Sequence, residues 1–233
     1  MQRIWNHKWP LDNLKFGLFI LTALVIWVGV FAYWPELDPM VSAWFYTHDQ
    51  GFYLKENKVI SAINTSVSIE IAIIVTVAAI FSLRELIKVR SLHLKHYPFS
   101  LYIALTALVG PGFLAEFALK YLLHRPRPSC VLDFGGVDPY TSIFEVGKCL
   151  DDCSFASGHT ATAALTIIFA LLLPRGVTRQ IGLVMASLFT GAIAFARVAV
   201  GKHFLSDTLF AVILVLFIAW VFRIALLRAF ERK

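Results

Sequence analysis

Apolar residues fall along this 233-residue chain in six runs separated by polar stretches, over approximately 16–34, 59–83, 98–120, 157–174, 181–197 and 205–222. A helix needs about 20 mostly apolar residues to cross a hydrocarbon core, and each run is read as such a helix. The first has no charged side chain between Phe16 and Trp34. It is longer than the apolar core of a signal peptide and lacks a small-x-small cleavage site, so it is expected to be retained. The fourth and fifth runs are short and need their flanks to complete a span. The expected fold is all-α: a six-helix transmembrane bundle in which residues 1–233 form a single domain.

Composition strengthens that reading. Hydrophobic residues make up 58% of the chain and charged residues 15%, and the mean hydropathy is +0.73. Soluble domains average about 45–50% apolar and about 25% charged. A disordered chain would need low hydrophobicity, and three cysteines in this length do not make a disulfide scaffold. The net charge of +6 comes from 21 Lys and Arg that punctuate the ends of the apolar runs. That distribution lacks the basic footprint of a nucleic-acid-binding protein, so no nucleic-acid partner is expected, and no obligate protein partner is evident.

The same basic residues set an orientation. Segments 1–15, 84–97, 175–180 and 223–233 hold 13 basic and three acidic residues, whereas 35–58, 121–156 and 198–207 hold six and ten. Cytoplasmic loops carry the Lys/Arg excess, which predicts cytoplasmic termini and places segment 121–156 outside. All three cysteines, Cys130, Cys149 and Cys153, lie in that segment, where an oxidising compartment permits a disulfide. The expectation is a Cys149–Cys153 bridge with Cys130 free. Three unpaired thiols remain the alternative, since connectivity cannot be deduced from sequence. A zinc site is not expected from C-x3-C without a second pair.

Three clusters carry chemistry, and all fall on the predicted outer face. Lys120, His124, Arg125 and Arg127 end the third span, Ser157-Gly158-His159 opens the fourth, and Arg197, His203 and Asp207 bridge the fifth and sixth. Lys120, Arg127 and Arg197 are three cations at one membrane face, costly unless an anion sits among them. Arginine's planar fork suits phosphate oxygens, and Ser157-Gly158 at a helix N-terminus offers backbone N–H groups to an anion. Singly, each basic residue is also explained as an interfacial anchor. The histidines argue for more. His203 and Asp207, at i and i+4, share a helix face, so the carboxylate is expected to fix the imidazole tautomer and free the other nitrogen to attack. His159 is then the candidate acid for the leaving alkoxide.

K-x6-R-P at Lys120, Arg127 and Pro128, S-G-H at 157–159, and R-x5-H-x3-D at Arg197, His203 and Asp207 together resemble the tripartite motif of the type 2 phosphatidic acid phosphatase superfamily. The resemblance covers 98–222. It implies His203 as a nucleophile forming a phosphohistidine, Asp207 as its partner and His159 as the acid. It also implies Lys120, Arg127, Arg197, Ser157 and Gly158 as ligands of the phosphate. The family works without a metal, and no cluster of outer carboxylates resembles a magnesium site; no cofactor is expected. Two positions depart from the pattern. Ala156 stands where proline is common before S-G-H, and Ala196 where serine is common before the arginine.

Gly110-Pro111-Gly112, the Cys149/Cys153-Ser154-Phe155 lead-in and the stretch 201–207 are further similar to bacterial lipid A 4′-phosphatases of that superfamily. Phosphatidylglycerophosphate and undecaprenyl pyrophosphate phosphatases share the same catalytic set and remain alternatives. The implied protein is a multi-pass enzyme of the bacterial inner membrane that dephosphorylates a lipid at the periplasmic leaflet. A lipid phosphotransferase would use the same site. A vanadate-dependent oxidation enzyme of related fold is disfavoured by six spans without a soluble catalytic domain. A channel or transporter would need charges along a path through the membrane, and here they sit at one end.

Glu70 and Glu116 lie within apolar runs, where ionisable residues are functional candidates. Glu116, one turn before Lys120, is expected to pair with and orient it. Glu70 has no assigned role, but Asn64, Thr65, Ser66 and Ser68 before it form a polar stretch suited to the bundle interior. Gly110-Pro111-Gly112 is expected to kink its helix. Trp44, Phe45, Tyr46, Phe52 and Tyr53 suggest an interfacial helix at headgroup level, and Lys202 adds positive potential beside His203.

Overall fold

The computed structural model describes residues 13–89 and 98–231. The basic residues of segments 1–12 and 90–97, used above for orientation, lie outside that range. Its helices are α1 (Asn13–Tyr33), α2 (Leu37–Ala43), α3 (Lys58–Val89), α4 (Pro98–Ala107), α5 (Leu119–Leu123), α6 (Gly158–Leu172), α7 (Val177–Ala199) and α8 (Leu205–Glu231). A π-helical segment, Leu108–Ala118, joins α4 to α5. Tyr46–Thr47 (β1) and Gly51–Phe52 (β2) pair as a small antiparallel hairpin.

Five of these stretches are long and apolar enough to cross a membrane: Asn13–Tyr33, Lys58–Val77, Leu101–Cys130, Val177–Ala199 and Leu205–Leu226. The sixth expected span is different. Helix α6 has 15 residues, which at 1.5 Å per residue is about 22 Å and short of a hydrocarbon core of about 30 Å. Its N-terminal half lies in the interior of the bundle, where Gly158 and Thr160 to Leu165 are buried. The helices around it present their apolar residues outward instead. Helix α1 buries Phe16, Ile20, Trp27 and Phe31 on one stripe, while Leu18, Phe19, Val25 and Ile26 are exposed on the other side.

The core forms around α8. Trp27 packs at a tilt against Phe155 (centroids 6.2 Å apart) and Phe210 (5.0 Å), and its indole N–H donates to the Ser206 carbonyl at 3.1 Å. One side chain thus locks α1 to the start of α8. Between α6 and α7, Thr190 Oγ1 lies 3.1 Å from the Ala163 carbonyl oxygen and 2.8 Å from the Ala186 carbonyl oxygen of its own helix.

The Gly-Pro-Gly stretch produces a π-helical segment that continues the chain rather than a sharp break. Pro111 has no N–H for the helical ladder, and local re-registration to wider turns is how a helix accommodates such a gap. The aromatic segment 44–53 also departs from expectation. Phe52 is buried against Tyr46 and Phe134, with ring centroids 5.3–5.5 Å apart, although Trp44 and Tyr53 remain exposed. The hairpin is packed down onto the loop before α8. A Cβ at Gly201, whose φ is +67°, would lie 2.5 Å from the Phe52 ring, so only glycine meets both the left-handed backbone and the close approach.

Trp27→Ala removes the ring packing and the hydrogen bond to α8 together. Losses of this kind cost about 3–5 kcal/mol, and the variant is expected to melt several degrees lower in detergent; an unchanged midpoint would contradict the role given to Trp27.

Candidate active site

The three motif clusters, up to 87 residues apart in sequence, come together at one end of the bundle. Each is delivered by a helix end with an identifiable cause. Helix α5 stops at His124, whose left-handed φ of 47° turns the chain. The Arg-Pro-Arg-Pro run that follows resists helix, because a residue before proline is pushed toward extended conformations, and Arg127 is extended at φ −76°, ψ 155°. The turn sends Arg125 inward and Arg127 toward the segment before α6. Arg197 sits in the last turn of α7, and His203 lies on the loop that enters α8.

His203 is 1% exposed. Its Nδ1 lies 2.7 Å from the Ser154 carbonyl oxygen, which can only accept, so Nδ1 carries the proton and Nε2 holds the free lone pair. Asp207 does not make this bond. Its Oδ2 is 3.7 Å from Nδ1, beyond hydrogen-bond distance, because the carboxylate is engaged elsewhere. It accepts from Arg125 at 2.5 Å, from the Phe204 N–H at 2.8 Å and from the Ser154 hydroxyl. The expectation that Asp207 fixes the tautomer directly is therefore corrected: Ser154 does so through its carbonyl. Burial lowers the His203 pKa to about 4; Asp207 opposes the shift, and the charges of Arg197 and Arg127 add to it. At neutral pH the imidazole is uncharged.

Arg125, noted in sequence only as part of a basic cluster, is the buried hub. It is fully inaccessible and stacks over the Phe204 ring at 4.3 Å. Its Nε donates to the Thr141 carbonyl (2.9 Å) and Nη1 to Ser206 Oγ (2.8 Å) besides Asp207. Its Nη2 donates to Asp38 (2.8 Å) and Tyr140. Asp38, on α2, also accepts from the Ser206 N–H at 2.8 Å. Burial raises the Asp38 carboxyl pKa against the pull of Arg125, which moves one of the two acids around a single guanidinium toward its neutral form. Sequence reading missed Asp38 and Ser154. An acid beside the helix breaker Pro39, in an outer segment, is the only signal that marked Asp38.

The expected phosphate ligands are present but occupied. Arg127 donates from Nε to the Asp152 carbonyl at 2.5 Å and from Nη2 to the Asp152 carboxylate, while Lys202 lies 3.5 Å from the other oxygen. Burial raises the Asp152 pKa, but Arg127 and Lys202 overcome that and hold it below the usual carboxylate range. Lys120 pairs with Glu116 at 2.7 Å, as their spacing predicts. Glu116 also abuts the start of α6: a Cβ on Gly158 would sit 2.0 Å from its Oε2, so a larger residue there would displace the Glu116 carboxylate. Arg197 differs, with its buried Nε making no hydrogen bond. Ser157 Oγ caps α6, 2.9 Å from Thr160 Oγ1 and 3.4 Å from its N–H. That hydroxyl is committed to the helix rather than free for an anion.

The disulfide Cys149–Cys153 is formed, and Cys130 is free and exposed. The closed loop carries Asp152 at a left-handed φ of 55° and so holds the acid against Arg127. His159 lies where two cavities meet. One, of about 330 Å³, is polar and includes Ser68, Arg197 and Lys202. The other, about 450 Å³, is apolar and runs between α3, the π-helical segment and α6 past Ile71, Pro111 and Leu165. Glu70 lies apart, in a third, apolar groove beside Phe169 and Phe189, with neither carboxylate oxygen hydrogen-bonded. Among the described residues, no group of three or more His, Cys, Asp or Glu is placed to hold a metal.

The helical bundle thus places His159, Arg197, Lys55 and Lys202 around one polar cavity beside an apolar groove. Residues 97–231 match the PAP2 superfamily, and the chain belongs to that family. It is similar to the lipid A 4′-phosphatase of Francisella tularensis subsp. novicida, 29% identical over 121 residues that cover 52% of this chain and 54% of that protein. It is also similar to the lipid A 4′-phosphatase of Rhizobium leguminosarum, 34% identical over 105 residues, or 44% of each chain. The chain thus aligns with about half the length of these curated relatives. No solved structure matches it.

Arg125→Met leaves two buried carboxylates without their shared counter-charge. Breaking a buried ion pair costs about 3–5 kcal/mol, and the variant should show a corresponding loss of thermal stability in detergent. Asp38→Asn, which keeps a hydrogen-bonding amide beside Arg125, should lose less; equal losses would contradict the hub.

Proposed function

We propose that this protein removes a phosphate group from a membrane lipid through a covalent intermediate on His203, at the periplasmic leaflet of the bacterial inner membrane, with a lipid A-type phosphate as the first candidate substrate. The observation that carries the reading is the state of His203: neutral, proton held on Nδ1 by the Ser154 carbonyl, and within the field of Arg127 and Arg197. A neutral imidazole with an oriented lone pair is a nucleophile, and cations around it favour a phosphate as its target.

In the first step Nε2 forms a bond to phosphorus while the P–O bond to the lipid alcohol breaks. His159 takes up a proton as the dianionic phosphate enters beside it and gives that proton to the departing alkoxide. The phosphorylated ring is cationic, and Asp207, 3.7 Å from Nδ1, stabilises it. In the second step water attacks phosphorus, His159 accepts the water proton, and the N–P bond breaks to return neutral His203 and inorganic phosphate. Arg197 is the readiest phosphate ligand, since its Nε has no hydrogen bond to exchange; Arg127 and Lys120 join once the phosphate replaces Asp152 and Glu116. Charge supports the leaflet. Arg175, Arg179 and Arg223 lie toward the opposite end of α6, α7 and α8 from the site, and basic residues mark the cytoplasmic side.

Purified protein in detergent micelles with EDTA is expected to release phosphate from one or more of a lipid A precursor, phosphatidylglycerophosphate, phosphatidic acid and undecaprenyl pyrophosphate. His203→Ala should abolish release, and release that persists in this variant would overturn the mechanism. His159→Ala should slow an alkyl lipid phosphate by about 10²–10⁴-fold but a nitrophenyl phosphate much less, because a nitrophenolate departs without a proton; equal losses would remove His159 as the acid.

The depressed pKa has a sign that can be checked. A histidine normally gains its proton as pH falls through about 6.5, whereas His203 should stay neutral until about 4. In ring-¹³C histidine NMR, the resonance lost in His203→Ala should keep its neutral shift down to pH 5. Titration of that resonance near 6.5 would contradict the buried, neutral nucleophile.

A further inference from the structure

The polar cavity has a wall that neither the motif nor the mechanism uses. Helix α3 begins where Asn57 Oδ1 accepts from the N–H groups of Val59 (2.9 Å) and Ile60 (3.2 Å). Its next turns place Ser61, Asn64, Thr65 and Ser68 along the cavity. The spacing i, i+3, i+4, i+7 puts all four on one face, a polar stripe beside Val67, Ile71 and Ile74 of the same helix, which line the apolar groove. Thr65 is occupied, donating to the Ser61 carbonyl at 2.9 Å. Asn64 is not: its Oδ1 is buried with no hydrogen-bond partner. A buried, unpartnered amide oxygen is costly and signals a donor that arrives with a ligand. Across the cavity stand His159 and Arg197, so a ligand there touches the reacting centre.

Two further lysines line the same space. Lys202 is weakly held by Asp152 at 3.5 Å, and Lys55 makes no ion pair among the described residues. Neither belongs to the three motifs. Lys120, Arg127 and Arg197 already supply the charge that one phosphate calls for, so a second cationic pair implies a second anionic group. The apolar groove for a lipid chain leaves from the same junction and shares Ser68 and His159 with the polar cavity.

We propose that the Ser61–Asn64–Ser68 stripe of α3, with Lys55, is a headgroup-selecting subsite that hydrogen-bonds a polyhydroxylated, sugar-like leaving group bearing a second anionic substituent. The proposal rests on the phosphatase reading and deepens it. A site built to hydrogen-bond hydroxyl groups discriminates strongly against analogues that lack them, because its own polar atoms are then left unpaired. A glycerol phosphate such as phosphatidic acid leaves Asn64 unsatisfied, whereas a phosphorylated acyl disaccharide supplies both donors and the second charge.

The test uses the full chain in micelles with two probes, a bisphosphorylated acyl disaccharide and dioleoyl phosphatidic acid. Wild type should favour the disaccharide in kcat/KM, and Asn64→Ala/Ser68→Ala should lower that ratio by at least tenfold. Lys55→Ala should lower the ratio of bisphosphorylated to monophosphorylated disaccharide by at least threefold. Wild type without preference, or variants that lose both probes equally, would overturn the subsite. A second arm does not depend on turnover. In a His203→Ala background the disaccharide should raise the melting temperature more than phosphatidic acid does, and Asn64→Ala/Ser68→Ala should erase the difference; equal stabilisation by both probes overturns the subsite. Phosphate release from neither probe nor from phosphatidylglycerophosphate or undecaprenyl pyrophosphate, with the binding preference intact, would reject the phosphatase reading and keep the subsite.

Discussion

One buried guanidinium holds the reacting end of this molecule in shape. Arg125 has no contact with water, and both Asp38 and Asp207 bond to it, which ties α2, the segment after α5 and the first turn of α8 into a single unit. A buried charge of this kind is destabilising unless every donor is matched, and here Nε, Nη1 and Nη2 each find acceptors. The consequence reaches His203. Because Asp207 is committed to Arg125, to Ser154 and to the Phe204 N–H, its carboxylate braces the loop that carries the histidine. Ser154 serves twice, giving its hydroxyl to Asp207 and its carbonyl to His203, so one backbone position links the hub to the nucleophile.

Around the histidine, charges are arranged for exchange rather than for rest. Arg127 is held by Asp152 and Lys120 by Glu116, and each carboxylate occupies a cation that a phosphate would claim. Such pairing keeps the cations satisfied while the site is free of substrate, which is what like charges gathered at one membrane face require. The Cys149–Cys153 bridge confines Asp152 to a five-residue loop, and that confinement sets where Arg127 points. Arg197 stands outside the scheme with an unmatched Nε; its first hydrogen bond to an incoming anion displaces nothing.

How much of this was legible in the sequence depends on whether the signal is local. The apolar runs read directly as spans because every backbone group in a membrane helix is satisfied within the helix. Lys120, Arg127, His159, Arg197 and His203 were legible as a set because spacing and orientation placed them on one face. The shortness of α6 was hinted at by the run itself, and its depth in the bundle was not. Asp38 and Ser154 were hidden for different reasons. Asp38 is 87 residues from Arg125, and no periodicity connects them. Ser154 acts on His203 through a carbonyl that every residue type possesses, so its identity carries only the hydroxyl bond to Asp207. The i, i+4 spacing of His203 and Asp207 suggested direct contact, but competition for the carboxylate decided otherwise.

The two cavities that meet at His159 give the site its amphiphilic logic. A lipid phosphate has a water-loving head and chains that resist leaving the hydrocarbon, and the catalytic atoms must sit where the two parts join. Here the π-helical stretch around Pro111 widens the bundle on the apolar side, while the hydroxyl and amide stripe of α3 forms the polar side. Ser68 and His159 belong to both. The acid that would protonate the leaving oxygen therefore stands at the boundary between headgroup and chain, and two adjacent stripes of α3, meeting at Ser68, line the two cavities. In the proposed reaction, recognition and chemistry fall to different helices: α3 would read the alcohol, whereas α6, α7 and α8 would hold the phosphate. That division lets the headgroup preference change by substitution on one helix face without disturbing Arg125 or the histidine it supports.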